Sequence, residues 1–127
     1  MRIAHLDTGR TWQGGQAQAL RLMRELRARG HEQWLLAPEG PLLERARTEG
    51  FAARRWDARG EWDLPALLFA RRRLLEDRPD VAHLHSAHAH AIQPIRICAM
   101  TRLAAFRAAF SNARAVRAAL LRRACRG

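Results

Sequence analysis

Residues 2–16 read RIAHLDTGRTWQGGQ, and this stretch decides the fold. Ile3, His5 and Asp7 alternate with Ala4 and Leu6, the two-residue period of a short β-strand. A glycine-rich loop, TGRTWQGG, runs from it directly into a helical pattern. From Gln16 to Arg29 the apolar residues Ala19, Leu20, Met23 and Leu26 recur at spacings of three and four, one stripe of an α-helix. Gly30 stands where a left-handed C-terminal cap is wanted. A strand that feeds a helix through a glycine loop opens a β-α-β unit.

The unit repeats along the chain. QWLLA (33–37) is a second strand, and Pro41 is placed as the first helical residue of PLLERARTE, which Gly50 closes. Residues 51–56 give a third, short strand. The segment EWDLPALLFARRRLLEDRP (61–79) gives a helix over about 63–77, with Leu64, Leu67, Leu68, Leu74 and Leu75 as its stripe. Pro79 ends it, and DVAHLH (80–85) is a fourth strand. Strict alternation of strand and helix predicts an α/β fold, a Rossmann-like parallel sheet with helices on both faces. Ligands of such sheets bind beyond the carboxyl ends of the strands. Two segments lie there, the TGRTWQGGQ loop and the run HSAHAHA (85–91).

After residue 92 the alternation fades. The segment TRLAAFRAAFSNARAVRAALLRRA (101–124) is rich in alanine and arginine, and by propensity it is irregular or helical. The charge changes at the same place. The chain of 127 residues carries 23 basic and 12 acidic side chains, net +11. All 12 acids lie within residues 1–80, where 15 arginines leave +3, whereas residues 81–127 hold eight arginines and no acid, +8. Two segments follow: a domain over 1–92 and a basic tail over 93–127. Every basic residue is arginine, and with 25 alanines this is the signature of a GC-rich coding background rather than of a phosphate-binding surface. The tail has no aromatic interleaving beyond Phe106 and Phe110 and no recognition motif, which argues against nucleic acid as a partner. Cys98 and Cys125 form no CxxC pair, so a reducing cytoplasm is expected. The apolar run at the start is too short for a secretory signal, and no window has the roughly 18 uncharged apolar residues of a transmembrane segment.

The glycine loop matches neither common phosphate motif. Counted from Gly9, the lysine and hydroxyl positions of a Walker loop hold Gly15 and Gln16, and Gly9, Gly14 and Gly15 do not have the G-x-G-x-x-G spacing. What remains is an anion cradle made from backbone and a helix N-terminus, with Gly14, Gly15 and Gln16 as its candidates. In the run HLHSAHAH (83–90), strand parity places His83 and His85 on one face and His88 and His90 in the loop beyond. The H-x-H-x-D-H signature of metallo-β-lactamase-like hydrolases would need aspartate where Ala87 stands, and the rest of the chain adds only His5 and His31. No metal site is therefore expected. His85 and His88 are candidates for a polar ligand at the sheet's carboxyl edge.

The order and spacing of WQGGQ (12–16), PEGPLLERA (38–46) and HLHSAHAH (83–90) resemble the N-terminal domain of the retaining GT-B glycosyltransferases of family four, over about residues 1–92. The resemblance implies one half of a GT-B fold, an acceptor-side domain facing a donor domain across a cleft. It implies Gly14, Gly15 and Gln16 near the donor's phosphates and His85 and His88 at the acceptor side, as the catalytic candidates. No cofactor is implied beyond the nucleotide-sugar donor of a full-length form. The partners implied are a sugar acceptor, that nucleotide sugar and a separately encoded donor domain, with a cytoplasmic location at the inner face of the membrane. The family's donor contacts have no counterpart in this sequence, so a chain truncated in this way is expected to be inactive alone. Departure from the family pattern begins soon after His90, as a deletion or out-of-frame stretch would cause, before SNARAVRAALLRRA (111–124) resembles it again. The alternative is a stand-alone basic module that meets nucleic acid or another acidic partner through its arginine-rich tail.

Overall fold

The computed structural model describes residues 1–59 and 63–85 and the backbone of 107–110. In chain order the elements are β1 (Arg2–Leu6), α1 (Gly14–Ala28), β2 (Glu32–Ala37), α2 (Pro41–Thr48), β3 (Ala52–Arg55), α3 (Leu64–Asp77), β4 (Val81–Leu84) and β5 (Arg107–Phe110). Local chemistry sets their limits. Gly30 and Gly50 adopt φ of +77° and +78° beyond α1 and α2, a conformation that costs glycine little. The Asp63 carboxylate caps α3 by accepting from the Ala66 amide at 3.2 Å.

All strand pairs are parallel, in the order β3-β2-β1-β4-β5. The fifth strand falls in the segment whose propensity favours helix; pairing with β4 in register, Val81 opposite Arg107, overrides the local preference there. The rest of the expected tail lies outside the described residues. Among the described residues no helix is long and apolar enough to cross a membrane.

Each face of the sheet carries its own core. Ala4, Leu6, Leu36, Ala82 and Leu84 pack with Trp56 against Ala66, Leu67, Ala70 and Leu74 of α3. On the opposite face Leu35 and Ala37 pack with Leu20 and Met23 of α1 and with Leu42, Leu43 and Ala46 of α2. The burial of α3 corrects the stripe read from sequence. Ala66 and Ala70 join Leu67 and Leu74 inside, while Leu64 and Leu68 are 55% and 46% exposed. The Trp56 indole ties the turn before α3 to that helix, donating to the Ala66 carbonyl at 2.9 Å.

Candidate functional site

The strand order reverses between β1 and β4. Connections from β1 lead through α1 to one side of the sheet, and β4 arrives on its other flank after α3. A crevice opens at such a reversal, beyond the carboxyl ends of the two strands. Two segments of this chain emerge there: the loop from Asp7 to Gln13, and the chain at His85, whose amide donates to the Leu6 carbonyl at 2.9 Å and prolongs the β4 pairing with β1.

The loop is held by a buried carboxylate. Asp7 is fully buried; one oxygen accepts from the Gly9 amide at 2.8 Å and the other from the Gln16 side-chain amide at 3.3 Å. Gln16 in turn accepts, through Oε1, from the Gln13 amide at 3.1 Å, satisfying a donor at the start of α1. Trp12 packs on the α2 side of the core, with the Arg45 guanidinium 3.8 Å from its ring centroid. The loop is thus set by polar and aromatic contacts on both sides.

Its three glycines differ. A Cβ on Gly9 would come within 2.0 Å of the Gln16 side-chain nitrogen, so this position must stay bare for Gln16 to reach Asp7. Gly14 and Gly15, the candidates from sequence, are exposed first-turn residues of α1, where a Cβ meets nothing within 4 Å. Among the described residues no neighbouring atom requires them to be glycine. They stand at a helix end whose first amides lack intrahelical acceptors and whose first turn holds no acid. Gln16, the third candidate, points inward as the link to Asp7.

The histidines form the second half of the site. Register places His5 of β1 opposite His83 of β4, both buried, and His85 follows one pleat beyond on the same face. His5 Nδ1 lies 2.9 Å from His85 Nε2, and His5 Nε2 lies 3.0 Å from Gln33 Oε1. The His5 and His85 rings stack at a centroid distance of 5.1 Å, and His83 lies tilted 4.2 Å from His85. Burial, with His83 nearby, lowers the His5 pKa from 6.5 to about 3; burial and His5 lower that of His85 well below its ordinary value. Both rings are neutral at pH 7.

His85 is where parity and topology agree with the sequence reading. His88 lies outside the described residues. The role of His5 is not visible in the sequence, because its partners Gln33, His83 and His85 are 28, 78 and 80 positions away and only the order β2-β1-β4 assembles them. Nitrogens of His5, His83 and His85 lie within 4.8 Å of one another, close enough to converge on a metal ion. Binding one through His5 would displace its contact with His85 or with Gln33, since these two occupy both nitrogens of its ring.

The sequence matches the family model for Glycosyltransferase Family 4 over residues 12–126. No curated protein matches it in sequence. In fold the chain is similar to Anabaena Alr3699/HepE, solved in complex with UDP and with UDP and glucose. The TM-score is 0.66 in both cases, at 12% and 11% identity, over 87% of this chain and 29% of that one. It is similar also to a glycosyltransferase from Rickettsia africae ESF-5, with a TM-score of 0.61 at 14% identity, over 84% of this chain and 29% of that one. The chain spans less than a third of the length of these solved neighbours.

Proposed function

The chain belongs to glycosyltransferase family 4, and from that premise we propose that its 127 residues supply one wall of a sugar-transfer cleft, the acceptor-side half of a GT-B enzyme. Gly14 and Gly15 let the diphosphate of a nucleotide sugar approach the N-terminus of α1, where the Gln13 side chain caps the Gln16 amide and the helix dipole favours an anion at the two glycines before it. Gln16 fixes that helix end through Asp7. His85 meets sugar hydroxyls from the neighbouring strand end; His88, the second candidate, lies outside the described residues. The acceptor class is a glycan, lipid or polysaccharide precursor, which sets the site at the inner face of the cytoplasmic membrane.

One observation carries this reading. The loop after β1 and the chain at His85 leave adjacent parallel strands at the reversal of strand order, and each is held by a buried polar residue, Asp7 for the loop and His5 for His85. A turn that served only to connect β1 to α1 would not require a fully buried carboxylate, whose burial is costly unless it is well bonded. That one solved neighbour, Anabaena Alr3699/HepE, holds UDP in one structure and UDP with glucose in another supports the choice of ligand class.

Transfer also needs the leaving diphosphate stabilised and held in line with the acceptor, and positioning supplies much of the rate. One wall does not do this. The 127-residue chain is therefore expected to release no nucleoside diphosphate from any nucleotide sugar. It is expected to bind one weakly. Amide chemical-shift mapping with UDP, GDP and ADP, and with their glucose or mannose conjugates at millimolar concentration, tests the reading. Perturbations centred on Gly9, Gly14, Gly15, Gln16 and His85 support it; no perturbation there by any of these ligands overturns it.

A further inference from the structure

A directed hydrogen-bond chain runs from the α1 backbone to His85. Its first link fixes the rest. The Gln33 side-chain amide donates from Nε2 to the Met23 carbonyl at 2.9 Å. A carbonyl only accepts, so the NH2 of this amide faces α1 and Oε1 faces His5. Oε1 in turn only accepts, which requires the proton of neutral His5 on Nε2, 3.0 Å away. His5 Nδ1 is then a bare lone pair. Its partner at 2.9 Å, Nε2 of His85, must carry the proton of that contact. The remaining nitrogen of His85, Nδ1, is left as an acceptor.

We propose that Gln33 and His5 are positioning residues that lock His85 in its Nε2–H tautomer, presenting Nδ1 as a hydrogen-bond acceptor for a ligand hydroxyl at the sheet's carboxyl edge. This rests on the sugar-site reading for the identity of the ligand, but the tautomer is a property of the free chain. A neutral imidazole that is free to choose its tautomer offers a hydroxyl either a donor or an acceptor. One whose Nε2–H is committed inward offers only the acceptor, and the ligand group that suits it is a hydroxyl donor, not a phosphate oxygen. The chain thus separates two chemistries within one crevice: amides at the α1 end for the anion and a lone pair at the β4 end for the hydroxyl. Burial supports the arrangement. His5 is fully buried and neutral, while His85 is only partly buried, so the chain runs from a helix backbone toward the sheet's carboxyl edge.

Long-range proton–nitrogen correlation spectra of the histidine rings in the ligand-free chain, near pH 7.5 and in the presence of a chelator, test the proposal. Each neutral ring shows one protonated and one bare nitrogen, and the expected pattern is protonated Nε2 and bare Nδ1 in both His5 and His85. Gln33→Leu removes the anchor, and the single-tautomer pattern of the two rings is expected to give way to averaged signals. Gln33→Glu keeps an acceptor toward His5, and the wild-type tautomers are expected to persist. A protonated Nδ1 on His85, averaged signals in the wild type, or tautomers unaffected by Gln33→Leu overturns the proposal. If Gln33→Leu does not fold, the wild-type and Gln33→Glu spectra decide it. One equivalent of zinc added without chelator that shifts both rings in the wild type, at submicromolar affinity, likewise overturns it in favour of a metal centre. Tautomers as expected in a chain that binds no nucleotide sugar would count against the sugar-site reading alone.

Discussion

The two faces of the central sheet are built from the same strands and have opposite character. Toward α3, β1 and β4 present Ala4, Leu6, Ala82 and Leu84, an apolar layer closed by Leu67, Ala70 and Leu74. Toward α1 the same strands present His5, Asp7, His83 and His85. The two-residue period of a strand makes this possible: from Ala4 to Asp7 each step alternates an apolar residue with a polar one, while Ile3 and Val81 start the polar face with buried apolar side chains. A parallel sheet covered on both faces ordinarily reads as a continuous hydrophobic run. The polar seam centres on the two strands flanking the reversal of strand order and takes in Gln33 of β2, while Leu35 and Ala37 of β2 lie within the α1–α2 core. Both faces therefore supply core, and the one toward α1 and α2 also carries the polar cluster at the reversal of strand order.

That contrast can be broken in measurable ways. The largest effect is expected on the apolar face. Leu36→Ala removes a fully buried side chain from the α3 core and is expected to cost about 3 kcal/mol in urea unfolding, within the usual 2–5 kcal/mol of such truncations. The polar face shows itself through pH. His5 titrates near 3 in the folded chain and near 6.5 when unfolded, so stability is complete above pH 6.5 and is lost as pH falls toward 3, because the unfolded state takes up the proton first. Between pH 6.5 and 5 the expected loss from His5 is about 2 kcal/mol, before most carboxylates titrate. A stability that is flat across this interval would contradict a buried, neutral His5.

Smaller effects sharpen the comparison among the glycines. Gly9→Ala pushes the Gln16 amide away from Asp7 and is expected to cost about 1–2 kcal/mol, as a buried polar group loses a partner. Gly15→Ala meets open space inside a helix and is expected to stabilise by about 0.5 kcal/mol. Equal effects at the two positions would mean that the loop is not held as described.

Much of this was legible in the sequence. Gly30, Pro41, Gly50 and Pro79 fix the element ends to within a residue or two, and strand parity alone placed His83 and His85 on one face. The role of Gly9 was not legible, because counting glycines gives their spacing and not the side chain that needs the room. His5 was not legible as a partner either. Its own strand shows it beside Asp7, but the contact to His85 exists only once β4 docks next to β1, after three helices and two other strands have been placed. The α3 stripe was misread in part, since alanine carries little hydrophobic signal and yet Ala66 and Ala70 make the close approach to the sheet.

The central claim is that the glycine-bearing N-terminus of α1 and the end of β4 form one wall of a nucleotide-sugar cleft. The most direct measurement compares the binding of a nucleoside diphosphate sugar by the wild-type chain and by Gly15→Val, read from amide shifts. A valine side chain at this exposed position meets no protein atom at its Cβ, so the fold should persist while the approach of a diphosphate is blocked. The expected result is an unchanged free-state spectrum with affinity reduced at least about tenfold, some 1.4 kcal/mol. Unaltered binding of the same ligand by Gly15→Val would contradict the claim.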